Sequence, residues 1–170
     1  MEDRLRFLIL NGPNINLLGE RDPEIYGTLL LTDLEALWKT WGEERDIEVC
    51  CAQSNHEGGL VDILQEFRHE VDGVVLNAAA YTHTSIALRD CIAAIHPPVI
   101  EVHISNTARR EAFRSRSYLA AVAAGLVMGF GVHGYILALE GLLDMTGGNR
   151  SSRRKEPVPM KGNVLPKQGG

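Results

Sequence analysis

Short apolar runs alternate with amphipathic stretches along most of this chain, and that alternation narrows the choice of fold more than any single motif. Residues 5–10 form a strand-like run. After a long polar connection, Leu34, Leu37, Trp38 and Trp41 follow at helical spacing, with Thr32 and Glu35 as a capping box. Residues 47–52 read as the second strand, and Ser54-Asn55-His56-Glu57 opens a helix carrying Leu60, Ile63, Leu64 and Phe67. Residues 71–76 read as the third strand, ending at Asn77. Residues 84–95 form a third helix stopped by Pro97-Pro98, and residues 99–104 are the fourth strand. A short helix over 111–113, a fifth strand over 126–130 and a last helix over 135–143 complete the series.

A β-α unit repeated about five times implies a parallel sheet with helices on both faces. Five strands favour the order 2-1-3-4-5, a flavodoxin-like three-layer α/β sandwich, over a six-stranded dinucleotide sheet. Ligands on such sheets bind beyond the carboxyl ends of the strands, where strands one and three diverge. The length of 170 residues suits one domain, expected over residues 1–146. Residues 147–170 are expected to form a mobile tail rich in Gly, Pro and basic side chains. From Arg150 onward there are six Lys or Arg and one acid; residues 1–149 hold eleven basic and twenty-one acidic side chains. An acidic body gives no support to nucleic-acid binding. No apolar run approaches the ~18–20 residues of a membrane helix, and the mixed-charge start Met1-Glu2-Asp3-Arg4 is not a secretory signal. Three cysteines argue against a disulfide framework and for a reducing, cytoplasmic compartment.

The residues beyond strands one, three and four therefore matter most. The connection after strand one, residues 11–28, is long for a compact domain, and such loops are often lids or binding loops. It holds three asparagines, which are ordinary turn formers, and Arg21 and Tyr26 spaced five apart. Strand three leads into Asn77-Ala78-Ala79-Ala80-Tyr81-Thr82-His83-Thr84. Strand four carries Glu101 and His103, two apart and so on one face. A carboxylate in that position holds an imidazole in one orientation and favours its cationic form, the arrangement of a general acid. Arg109, Arg110 and Arg114 follow.

Other patterns carry less. Gly129, Gly131 and Gly134 match G-x-G-x-x-G, but a dinucleotide site needs a further strand bearing an acid about 20 residues on. The domain is ending there, so these glycines read as turning and packing residues. No metal-binding spacing of His or Cys occurs. Asn11 and Asn77 stand where a phospho-receiver needs acids. No Ser or Thr lies between Asn11 and Gly27 to build a flavin phosphate loop.

The segments NGPNINLLGERDPEIYGT, SNHEGGLVD, AAYTHTS, IEVHISN, REAFRSRSY and GFGVHGY, in this order over roughly residues 7–145, resemble the type II 3-dehydroquinate dehydratases. The resemblance implies a flavodoxin-like fold, a homododecamer built of trimers, and dehydration of 3-dehydroquinate to 3-dehydroshikimate without metal or organic cofactor. That reaction serves aromatic biosynthesis or, alternatively, quinate breakdown. By resemblance Tyr26 is the proton acceptor, Arg21 the lid arginine that tunes it, and His103 the proton donor oriented by Glu101. Asn14 resembles the residue that holds a water at the enolate oxygen. Asn77, His83, Ile104, Ser105 and Arg114 resemble the substrate-binding set, and Asp90 resembles a residue reaching a neighbouring subunit's site. The chain departs from the family pattern at Ala78, where proline is usual, and at Thr107-Ala108-Arg109, where a histidine usually precedes Ala-Arg. The competing readings are a non-enzymatic small-anion-binding module and a flavin or nucleotide protein on the same fold.

Overall fold

The computed structural model describes residues 4–20 and 29–152. Five strands, β1 (Leu5–Asn11), β2 (Ile47–Gln53), β3 (Gly73–Asn77), β4 (Val99–His103) and β5 (Gly125–Met128), form one sheet in the order β2-β1-β3-β4-β5. Every pairing is parallel. Four α-helices connect or follow them: α1 (Leu31–Glu43), α2 (Glu57–Phe67), α3 (Ile86–Ala94) and α4 (His133–Ser152). The expected α/β topology is the one observed.

β1 explains why the sheet needs helices on both sides. Its side chains alternate between faces. Phe7 and Ile9 join Leu34, Trp38, Tyr135, Leu139 and Leu142 in the core beneath α1 and α4. Leu8 and Leu10 join Leu60, Leu64, Leu88 and Ile92 in the core beneath α2 and α3. A strand buried on both faces has no polar side to alternate, hence the continuous apolar run from Phe7 to Leu10. Cys51 faces the first core and Cys50 the second, as adjacent strand residues must.

The element boundaries depart from the sequence reading at particular points. Thr32 and Glu35 do not cap α1. The helix starts at Leu31, and the Asp33 carboxylate accepts the Leu30 N–H at 3.1 Å, so Thr32 already lies inside the first turn. Leu37 is 55% exposed while Leu34 and Trp38 are buried. β3 begins at Gly73 because Val71 N–H bonds back to the Phe67 carbonyl, closing α2. The expected helix over 84–95 is α3, two residues shorter at its start and one at its end, with a separate 3-10 turn, Ala79–His83, before it; its first turn is capped by Ser85 Oγ accepting Leu88 N–H at 2.9 Å. The short helix near 111–113 is a 3-10 turn, Ala112–Arg114. α4 runs from His133 to Ser152 rather than 135–143, so the helix takes in the first residues of the tail expected over 147–170; residues 153–170 lie outside the described residues.

The register brings the carboxyl ends of the central strands level: Asn11 is paired with Gln53 on one side and Asn77 on the other. Gly12 then turns the chain directly over β3, its N–H bonded to the Asn77 carbonyl at 2.7 Å. A Cβ on Gly12 would stand 2.7 Å from the Ala78 carbonyl group, closer than any side chain tolerates.

Candidate active site

The segments leaving β1, β3 and β4 line one cavity. Pro13, Asn14 and Ile15 come from the first, Asn77, Ala79 and His83 from the second, and His103, Ile104 and Ser105 from the third, with Arg110 and Arg114 beside them. This is the position that the strand order dictates for a ligand.

His103 is held from behind. Its Nε2 lies 2.7 Å from Glu101 Oε1, and Glu101 is fully buried in the β4 core. Burial by itself pushes the Glu101 carboxyl up; hydrogen bonds from His103, Thr82 and Ser117 outweigh it and hold the group below the ordinary carboxylate value. Thr82 Oγ1 donates to Glu101 Oε1, and Ser117 Oγ lies 2.9 Å from both carboxylate oxygens. Glu101 and His103 thus meet side chain to side chain at the carboxyl end of β4. Thr82 and Ser117 were not among the residues expected; their only signal in the sequence is two hydroxyls beside His83 and Arg116.

The other cavity residues are also anchored. His83 Nδ1–H donates to the Arg116 carbonyl at 2.8 Å, and its ring lies parallel to that of His103 with centroids 6.3 Å apart. Asn77 is buried: its Oδ1 accepts Ala79 N–H at 3.2 Å and its Nδ2 donates to Tyr135 Oη at 2.7 Å. Tyr135 in turn donates to Asn11 Oδ1 at 2.7 Å, joining the ends of β1 and β3 to α4. Burial pushes the Tyr135 phenol well above its ordinary value, so it serves as a neutral link. Asn14 adopts a left-handed conformation (φ 67°), and its N–H donates to Asn55 Oδ1 at 3.0 Å.

Arg114 Nε donates to Glu111 at 2.9 Å and Arg110 Nη1 to Ser105 Oγ at 3.4 Å. Arg110, one of the arginines noted after strand four but outside the expected binding set, is thus a cavity residue. Asp90 lies on α3, exposed and ion-paired with Arg89 at 3.3 Å, and does not line its own chain's cavity. Arg21 and Tyr26 lie outside the described residues. The glycine motif after β5 turns the chain: Gly129 N–H bonds to the His103 carbonyl and Gly131 N–H to that of Ile104, with φ of 87° and 59°. These bonds fix the end of β4 and so the residues around His103.

Among the described residues no group of three or more His, Cys, Asp or Glu side chains is placed to hold a metal ion. No described helix is long and apolar enough to cross a membrane. The residues lining the cavity include two imidazoles, one of them held by Glu101, two asparagines and two arginines. Such a set suits a small anion that also carries hydroxyl or carbonyl oxygens.

Comparison with known proteins gives one answer. A family model described as Dehydroquinase class II matches residues 5–143. The chain is 53% identical over 135 residues to the 3-dehydroquinate dehydratase of Ruegeria pomeroyi, covering 79% of this chain and 91% of that one. It is 52% identical over 141 residues to that of Campylobacter lari, covering 83% and 88%. Among solved structures, the type II dehydroquinase of Butyrivibrio crossotus superposes with a TM-score of 0.80 at 43% identity, covering 82% of this chain and 97% of that one. That of Propionibacterium acnes gives 0.79 at 38%, covering 84% and 99%.

Proposed function

The chain belongs to the class II dehydroquinase family, and from that premise we propose how its residues divide the work of the reaction. The activity is the dehydration of 3-dehydroquinate, a hydro-lyase reaction. Tyr26 takes the proton next to the ketone, and the electron pair left behind makes an enolate. The enolate collapses to the ketone, a carbon–carbon double bond forms, and the C–O bond of the β-hydroxyl breaks with its electrons on oxygen. His103 gives that oxygen a proton, so it leaves as water. Tyr26 ends the cycle with one added proton and His103 with one fewer, and solvent restores both.

A phenol with an ordinary pKa near 10 is mostly protonated at neutral pH. Arg21 is the cation assigned to lower it, since one adjacent opposite charge favours the ionised form by about 1–3 units. Asn14 holds a water for the developing enolate charge. Asn77, His83, Ile104, Ser105 and Arg114 bind the hydroxyls and carboxylate, the arginine offering the planar fork that suits an anion. The observation that carries the reading is the 2.7 Å Glu101–His103 pair in the wall of a cavity that Arg114 also lines.

The assembly is a homododecamer of trimers, and Asp90 serves a neighbouring subunit's site. Supporting this, Asp90 and the 59% exposed Ile86 are four residues apart on α3 and so share an outward face. The enzyme works in the cytoplasm, in the biosynthesis of aromatic compounds. The test of the activity is ultraviolet detection of the conjugated enone from 3-dehydroquinate with the purified protein. Enone formation that saturates with substrate is expected; no absorbance change with authentic substrate would overturn the reading.

A further inference from the structure

Ser117 has no free choice of hydrogen-bond direction. Its Oγ receives the backbone N–H of Leu119 at 3.1 Å and of Ala120 at 2.9 Å. A hydroxyl has two lone pairs and one hydrogen. Both lone pairs are taken, so the hydrogen goes outward, and the acceptors there are the Glu101 oxygens, each 2.9 Å away. Thr82 Oγ1 lies 2.9 Å from Ser117 Oγ and against Glu101 Oε1. With the Ser117 lone pairs filled, Thr82 also gives its hydrogen to the carboxylate. Glu101 is fully buried and receives two hydroxyl hydrogens, so it acts only as an acceptor. The hydrogen shared with His103 then resides on Nε2 and stays there, so the proton that His103 gives in the acid step is a second one, carried on Nδ1, the ring nitrogen left to serve the cavity.

We propose that Thr82 and Ser117 are positioning residues for the acid step: their hydroxyls lock Glu101 as an acceptor, and that carboxylate holds Nε2–H of His103 and so fixes the aim of the proton on Nδ1. The chain of constraint begins at two backbone N–H groups of the turn after Ser117 and ends at the atom that faces the ligand. It rests on the reading of His103 as the group that protonates the departing hydroxyl.

The test is the number of α-proton exchanges with deuterated solvent per enone formed, measured for the wild type, Thr82→Val, Thr82→Ser, Ser117→Ala, Ser117→Thr and His103→Ala. A misaimed imidazole slows C–O cleavage more than proton abstraction, so the enolate returns to substrate more often. Exchange per turnover is expected to rise about tenfold in Thr82→Val and Ser117→Ala, a modest share of what general acid catalysis supplies. It should fall back to the wild-type ratio in Thr82→Ser and Ser117→Thr, which keep the hydroxyl. The ratio is independent of how much protein is folded, so a loss of stability alone does not move it. An unchanged ratio in Thr82→Val and Ser117→Ala, with a raised one in His103→Ala, would overturn the proposal alone. An unchanged ratio in His103→Ala itself would remove both the proposal and the acid role beneath it.

Discussion

Arg21 and Tyr26 share one step in the proposed chemistry, so their variants should fail differently. Tyr26→Phe is expected to lose enone formation while keeping substrate binding, checked by activity and by calorimetric titration with a substrate analogue. Arg21→Ala should lower kcat more than it raises KM, and should move the rising limb of the kcat–pH profile to higher pH, because the base is then harder to ionise. Glu101 adds a prediction on stability. Its carboxyl sits below the ordinary value in the folded protein, so its contribution is present above the unfolded value of about 4.3 and lost as pH falls through the folded one. Glu101→Gln leaves one of its donors without an acceptor, and urea unfolding at pH 7 should find it about 1–3 kcal/mol less stable. That deficit should shrink on acidification below about pH 4. The Glu101–His103 pair was legible because strand residues two apart share a face. Thr82 and Ser117 were not, since nothing local says that residues 16 and 19 positions from Glu101 meet on its carboxylate.

The same contrast holds for whole elements. Helical spacing marked Leu34, Leu37, Trp38 and Trp41 as one face of α1, yet the buried stripe excludes Leu37. Spacing gives the period but not the width of the stripe, which the neighbouring elements set. Trp38 packs against Tyr135 with ring centroids 4.5 Å apart and planes tilted by 30°. Trp38→Ala should therefore cost about 3–5 kcal/mol and Leu37→Ala no more than about 0.5, measured by urea denaturation. Tyr135→Phe tests the link from α4 to the sheet. It removes the partner of both Asn11 and Asn77, and about 2–4 kcal/mol of stability should go with it. The capping of α1 was misread because Thr32-x-x-Glu35 has the right letters. Asp33 sits where its carboxylate meets the Leu30 N–H, and a cap is decided by which residue first leaves the helical conformation.

At the scale of the molecule, the topology was the most legible feature. Strands buried on both faces and separated by amphipathic helices leave few arrangements, and the observed order is one of them. The cavity's location followed from that order, and the identity of its walls from the residues after each strand. Assembly is a property of surfaces that a periodic pattern does not record; the exposed Ile86, Phe113 and Phe130 are visible only once the chain is folded. Sedimentation velocity should find twelve chains associated, and a monomer at micromolar concentration would contradict that proposal. The central claim, that a neighbouring guanidinium makes one phenol basic enough to take a proton from carbon, concerns one of the chain's four tyrosines. Tyr135 is held protonated by burial and will not obscure it. The direct measurement is an ultraviolet phenolate titration of the wild type against Tyr26→Phe. The account predicts one tyrosine ionising clearly below the ordinary value of about 10 in the wild type and missing from the variant; identical titrations below that value would contradict it.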